Sequence, residues 1–265
     1  MSGLPCELLD HIVDFLHDSR TPLRNCCLVS KSWIPRTRRH LFAEIYLRTP
    51  KSLESWKKAF PDPSISPACY AIFLWIGCPQ VVTTKGAEAG GWIASFSGVE
   101  HLQFGGQDVH ARGWEAAFVM FHGFSPAVKS LRMRMSHLPF PHFFNLVLSF
   151  PLLEDLDMDD CHDVQIDDGG DSDGLSMSTA VQSSSSPVFA GTLDLHLKGG
   201  MGPIVHRLLA LPDGIHFRKF ILSWSREEDI SLTMALMERC SHTLEFLYIS
   251  SSLFSTSIRH LRSRG

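Results

Sequence analysis

The sequence predicts an α/β protein in which three short N-terminal helices lead into an irregular solenoid of parallel strands with outer helices. Three observations carry this expectation. An apolar-x-x-apolar-x-apolar unit recurs eight times at near-constant intervals, helical periodicity fills stretches between the units, and residues 1–42 hold three short apolar-striped segments of their own.

The N-terminal segments come first in the chain. Leu4 to Leu16 reads as an amphipathic helix, with Pro5 suited to the first helical position and Glu7 complementing the dipole. Leu8, Ile12, Phe15 and Leu16 follow one apolar stripe, which Leu9 and Val13 widen beyond what one intramolecular neighbour needs. Asp18, Ser19 and Thr21-Pro22 break this helix and start the next, Leu23 to Val29. A third runs from Ser32 to Phe42, with Trp33, Ile34, Leu41 and Phe42 inward and the basic run Arg36, Arg38, Arg39, His40 as a solvated face. Three helices this short make a poor independent core, so the module at 1–42 needs a partner surface over its excess apolar face.

The eight units occupy 43–265 and its junction with the helices. They are Phe42-x-x-Ile45-x-Leu47, Tyr70-x-x-Phe73-x-Trp75, Val99-x-x-Leu102-x-Phe104 and Val128-x-x-Leu131-x-Met133, followed by Leu153-x-x-Leu156-x-Met158, Ala190-x-x-Leu193-x-Leu195, Phe217-x-x-Phe220-x-Leu222 and Leu244-x-x-Leu247-x-Ile249. The central residues are 28, 29, 29, 25, 37, 27 and 27 positions apart. At 44% apolar content one match arises about once in twelve start positions by chance, so the regular spacing carries the argument rather than any copy. Periods in the twenties, each opening with a short strand, point to a leucine-rich-repeat-like solenoid. Outer helices are expected at Ser52–Phe60, Trp114–Phe121, Phe143–Phe150, Ile204–Leu211 and Asp229–Cys240. The 37-residue interval holds an acidic, then serine-rich segment at 167–187, expected to be a disordered insertion in a repeat that lacks its outer helix. After the last strand only Ser250 to Gly265 remain, a short cap that suits a truncated or diverged solenoid.

Outward residues of successive strands form a ladder on the expected concave face: Gln103, Arg132, Asp157, Asp194, Ile221 and Tyr248, with Arg134 and Asp159 in a second column. Arg132 should face Asp157, and Arg134 should face Asp159, each 25 residues on. The candidate substrate face is therefore Gln103, Arg132, Arg134, Asp157, Asp159, Asp194 and Tyr248, read either as a mixed-charge patch for a protein substrate or as ordinary exposed pairs.

The first 42 residues carry a resemblance. Leu4-Pro-x-Glu-Leu-Leu-x-x-Ile12-x-x-x-Leu16, then Leu23-x-x-Cys-Cys-Leu-Val-Ser-Lys-x-Trp33, then Arg39-His-Leu-Phe42, resembles the F-box in the order and spacing of all three blocks. An F-box ahead of such repeats looks like the F-box/leucine-rich-repeat proteins abundant in fungi. The resemblance implies a three-helix F-box that docks on a Skp-type adaptor, and through it on a cullin and a RING subunit. Carried over by position, Leu4, Pro5, Leu8, Ile12, Leu28, Val29 and Trp33 are the docking and packing set. Only three residues precede Leu4, so contacts upstream of the Leu-Pro pair are not expected. The implied function is a substrate adaptor of a ubiquitin ligase, recruiting a protein of unknown identity without catalysing a step itself. Two alternatives stay open: a Skp-binding interaction protein with no role in ubiquitination, and a repeat-domain ligand binder or enzyme whose N-terminal helices only cap the solenoid.

Other chemistries find little support in the residues. A net charge of −4 offers no general nucleic-acid or membrane-surface partner, and no uncharged span of about 18 residues suits a membrane. Seven scattered cysteines without a C-x-x-C pair argue for a reducing compartment, cytoplasmic or nuclear, and against a structural zinc. The acidic run fails the calcium-loop spacing, because Gly169 and Ala180 fall at the first and twelfth ligand positions. Asp157, Asp159, Asp160, Cys161, His162 and Asp163 match no zinc pattern, and no P-loop, nucleophile elbow or His-Glu-x-x-His occurs, so no metal, cofactor or catalytic residue is expected.

Overall fold

The eight apolar units become eight strands of one parallel sheet, ordered in space as they are in sequence: β1 Glu44–Leu47, β2 Phe73–Ile76, β3 His101–Gly105, β4 Ser130–Arg134, β5 Asp155–Cys161, β6 Thr192–Leu197, β7 Lys219–Trp224 and β8 Phe246–Ser251. The computed structural model describes residues 5–79, 81, 92–105, 111–122, 124–134, 140–161, 187, 189–197, 200–211, 214–224 and 226–251. Leu4, nearly all of the 167–187 segment, the expected loss of a helix beside it and the end of the chain from 252 lie outside the described residues.

Register follows the inward apolar residues. Ile45, Leu74, Leu102, Leu131, Leu156, Leu193, Phe220 and Leu247 pair in one row across the sheet. All but the last are buried in a single core, which also takes Trp114, Phe118, Phe121, Phe143, Ile204, Val205 and Leu236 from the helices. A parallel strand pair needs a crossover connection between its strands. Among the described residues these crossovers hold α4 Pro50–Ala59, α5 Ala111–Phe121, α6 Phe140–Leu148, α7 Gly202–Leu209 and α8 Glu228–Arg239. Each overlaps the stretch where the periodicity predicts it. The Thr49 and Ser52 side chains form a reciprocal capping box at the start of α4, with Pro50 pre-set for its first turn.

One frame differs from the sequence reading. The second unit centres on Leu74 and Ile76, which are buried, and not on Phe73 and Trp75, which turn half-buried to the open face. Phe-Leu-Trp-Ile is apolar at both parities, so alternation alone cannot orient it. Pairing with β1 and β3 decides the frame.

Each strand entry repeats one backbone device. The carbonyl two residues before a strand's central apolar position accepts two successive N–H groups from the next repeat. Ala43 accepts from Ile72 and Phe73, Ile72 from Glu100 and His101, and Glu100 from Lys129 and Ser130. Lys129, Gly191 and Arg218 do the same further along. At the β5–β6 step the pattern bends: Gly191 N–H still reaches the Glu154 carbonyl, while Thr192 N–H turns to the Asp155 carboxylate at 2.6 Å.

The N-terminal helices are α1 Cys6–Phe15, α2 Arg20–Val29 and α3 Ile34–Leu41, with a 3₁₀ turn at Lys31–Trp33 leading into α3. Pro5 sits at the cap of α1, one position before the first helical residue. Among the described residues of this module, Val13, Leu23, Cys26 and Thr37 are buried. α3 packs against the 3₁₀ turn Pro67–Tyr70, and Phe42 at its end meets Trp56 and Phe60 edge-on at 5.8 and 5.7 Å.

Close stacking tolerates no added atom at Gly105, where a Cβ would stand 2.8 Å from the Arg134 carbonyl oxygen. Gly105→Ala should destabilise the chain by about 1–3 kcal/mol. A urea denaturation midpoint checks this, and an unchanged midpoint would show that the β3–β4 stack has slack there.

Candidate functional site

Two surfaces carry the residues singled out from sequence. The first is the N-terminal module. A carboxylate clamp joins its first and third helices: Asp14 on α1 accepts from Arg36 Nε at 2.6 Å and Nη2 at 2.5 Å, and meets His40 Nε2 at 2.7 Å. Arg36 and His40 lie one turn apart on α3, so one face of that helix turns both toward α1. This corrects the reading of residues 36–40 as a wholly solvated face, because only Arg38 and Arg39 are exposed. The Arg36 guanidinium, and after it the His40 ring, hold the Asp14 carboxyl well below the usual carboxylate range.

With the helices so joined, much of the module's apolar surface is left outside. Leu8, Ile12, Leu28 and Val29 are exposed, as is Pro5, while Trp33 is half-buried. Leu8, Ile12 and Phe15, with His11 and Leu16, line one shallow apolar depression on α1. Phe15 is 88% exposed, the barest of these side chains. It belongs to the stripe visible in the sequence yet falls outside the carried-over docking set. Its exposure is settled only by where α2 and α3 pack.

The second surface is the open face of the sheet. Gln103, Arg132, Asp157, Asp194, Ile221 and Tyr248 pair in one unbroken row, and Arg134, Asp159 and His196 in the row beside it. Arg132 Nε donates to Asp157, and Arg134 Nε lies 3.5 Å from Asp159, the two pairs that the 25-residue spacing predicts. Arg132 and Arg134 are about half exposed, so each pair contributes less than about 1 kcal/mol.

Asp194 stands next to Asp157 in the row without such a partner. His196 Nε2 lies 3.0 Å from its Oδ1, yet that oxygen is buried and the geometry makes no hydrogen bond. Burial first, and the Asp157 charge second, push the Asp194 carboxyl up from its ordinary value. A bulge between Asp159 and Cys161 turns Cys161 into the core, separating it from the acidic residues it follows in sequence. His162 and Asp163 of that cluster lie outside the described residues. Among the described residues no group of three or more His, Cys, Asp or Glu is placed to hold a metal ion, and no helix is long and apolar enough to cross a membrane.

Two features of this face were not read from the sequence. The corrected β2 frame places Phe73 and Trp75 beside Tyr46, with ring centroids 5.5 and 5.8 Å away. The Arg48 guanidinium lies 5.3 Å from the Trp75 ring and 5.8 Å from the Tyr46 ring. One end of the face is therefore an aromatic platform and its middle a charged row. A third row of charges runs along the strand entries, where Lys129 Nζ binds Glu100 at 2.8 Å and Arg218 lies 4.0 Å from Glu245. No protein-family model matches the chain, and no curated protein matches it in sequence.

Asp14 and Asp194 each give a pH dependence, with opposite sign. Asp14 is depressed, so its contribution is present above the ordinary value of 3.8 and is lost only as pH falls through its lower folded value. Asp14→Asn should lower the thermal midpoint at neutral pH, and the difference from wild type should shrink in strong acid. Asp194 is raised, so the folded state holds its proton more tightly and stability falls as pH climbs above 3.8 toward the folded value. Asp194→Asn should remove that slope and stabilise the chain at neutral pH. Urea midpoints at acid and neutral pH measure it, and parallel curves for the two proteins would contradict the assignment.

Proposed function

We propose that this chain is the substrate-recruiting subunit of a Skp–cullin–F-box type ubiquitin ligase, with residues 1–42 as an F-box and the leucine-rich-repeat-like sheet as the receptor for a protein substrate. The observation that carries the reading is the bare apolar stripe Leu8, Ile12 and Phe15, standing on helices whose sequence blocks resemble the F-box. Burying such side chains is worth about 1.5–3 kcal/mol each, so leaving them in water marks a surface made for a partner. Leu28 and Val29 on α2 are also bare, and the half-buried Trp33 completes the docking and packing set in this reading.

In this reading the chain makes no covalent bond and needs no cofactor. The adaptor covers the helical stripe and links it to the cullin and RING subunit. The substrate lies across Gln103, Arg132, Arg134, Asp157, Asp159, Asp194 and Tyr248, anchored where Tyr46, Trp75 and Arg48 meet, since aromatic and arginine side chains dominate protein interfaces. The site of action is the cytoplasm or nucleus, where that machinery works.

Purified chain should retain a Skp-type adaptor in a pull-down. Leu8→Asp with Ile12→Asp, or Phe15→Asp alone, should reduce retention at least about tenfold while leaving the circular dichroism spectrum unchanged. Failure of the wild-type chain to bind, or full binding by the variants, would remove the F-box reading.

A further inference from the structure

β1 is the first strand of the sheet, and among the described residues it has a neighbouring strand on one side only. The carbonyls of Ala43 and Leu47 accept from β2, at Phe73 and Gly77. Backbone groups of a parallel strand alternate in direction, so Ala43, Ile45 and Leu47 face β2 while the N–H and C=O of Glu44 and Tyr46 face away from it. Among the described residues nothing answers those four groups.

A cleft of about 430 Å³ opens along this free edge, within the size range of ligand sites. Glu44, Ile45, Tyr46 and Leu47 all line it. Residues of both parities can border one cleft only where it meets the strand from its edge. Its lining includes an aromatic wall of Phe42, Trp56 and Phe60, together with Arg20 and Arg24, one turn apart on α2. Both arginines are exposed, and neither makes a hydrogen bond or ion pair with a described residue. The one carboxylate in the lining, Glu44, already accepts the Tyr46 hydroxyl at 3.0 Å.

We propose that the free edge of β1 is a docking site for an acidic, extended segment of another protein, added to the sheet as a further strand. Glu44 and Tyr46 supply the backbone hydrogen bonds, the Phe42–Trp56–Phe60 wall takes alternate apolar side chains, and Arg20 with Arg24 selects for carboxylates. A second copy fits poorly, because pairing two β1 edges brings the free arginines of both copies to one seam. The cleft shares no lining residue with the α1 depression, so substitutions can disable the two separately.

The full-length chain, titrated into a short fluorescein-labelled peptide alternating glutamate with valine, should give saturable anisotropy. N-methylation of alternate peptide amides, lysine in place of glutamate, or Arg20→Glu with Arg24→Glu should each weaken binding at least about tenfold. Leu8→Asp with Ile12→Asp should leave it unchanged, which separates this site from the adaptor surface. The amides of Glu44 and Tyr46 should exchange hydrogen freely in the chain alone and slow on peptide addition. Absent binding, binding indifferent to N-methylation or charge, or amides already protected by a dimer seen in sedimentation would each overturn the proposal.

Discussion

The molecule depends on a single register. Two inward rows, led by Ile45 and Leu47 in β1 and continued by Leu102 and Phe104 in β3 and Leu131 and Met133 in β4, keep their alignment across eight strands. The repeats share one core, in which side chains pack both within a repeat, as Phe104 does against Trp114, Phe118 and Phe121, and against the repeats beside it. Because side chains alternate with period two, the alignment that buries these rows also composes the open face. The Arg132–Asp157 pair and the Tyr46–Trp75–Arg48 cluster are thus consequences of the core.

The N-terminal helices obey a different logic. Their buried residues are few, and polar chemistry supplements them through the Asp14 carboxylate held between Arg36 and His40. A clamp of that kind fixes the orientation of α1 without consuming its apolar stripe, so Leu8, Ile12 and Phe15 remain available outside. Phe42 joins this module to Trp56 and Phe60 of the first outer helix. The two parts therefore share a seam, and the β1 cleft opens in it.

How much could be read in advance followed from whether the deciding interaction was periodic. The strands, their order and the Arg132–Asp157 and Arg134–Asp159 pairs all rest on spacing, which a single sequence displays. The β2 frame does not, because both parities of Phe73–Ile76 are apolar and the choice belongs to β1 and β3. The Asp14 clamp spans 22 and 26 positions between helices with no common repeat, and only packing brings its members together. Phe15 was visible as part of a stripe, but nothing local distinguishes a stripe that packs inward from one left bare. The β1 edge is likewise invisible locally, since an edge strand and a central one share the same apolar alternation.

That ambivalent second strand also shapes how the chain reaches its fold. Sliding most strands by one residue would drive charge into the core: in β4 it would bury Arg132, and in β5 Asp157. In β2 the same slip merely exchanges Leu74 and Ile76 for Phe73 and Trp75, one apolar pair for another. The energy gap between native and shifted pairing is therefore small at β2, which makes it a step of assembly prone to a kinetic trap. It falls next to the end of the array, where only β1 lies beyond to correct the frame from that side.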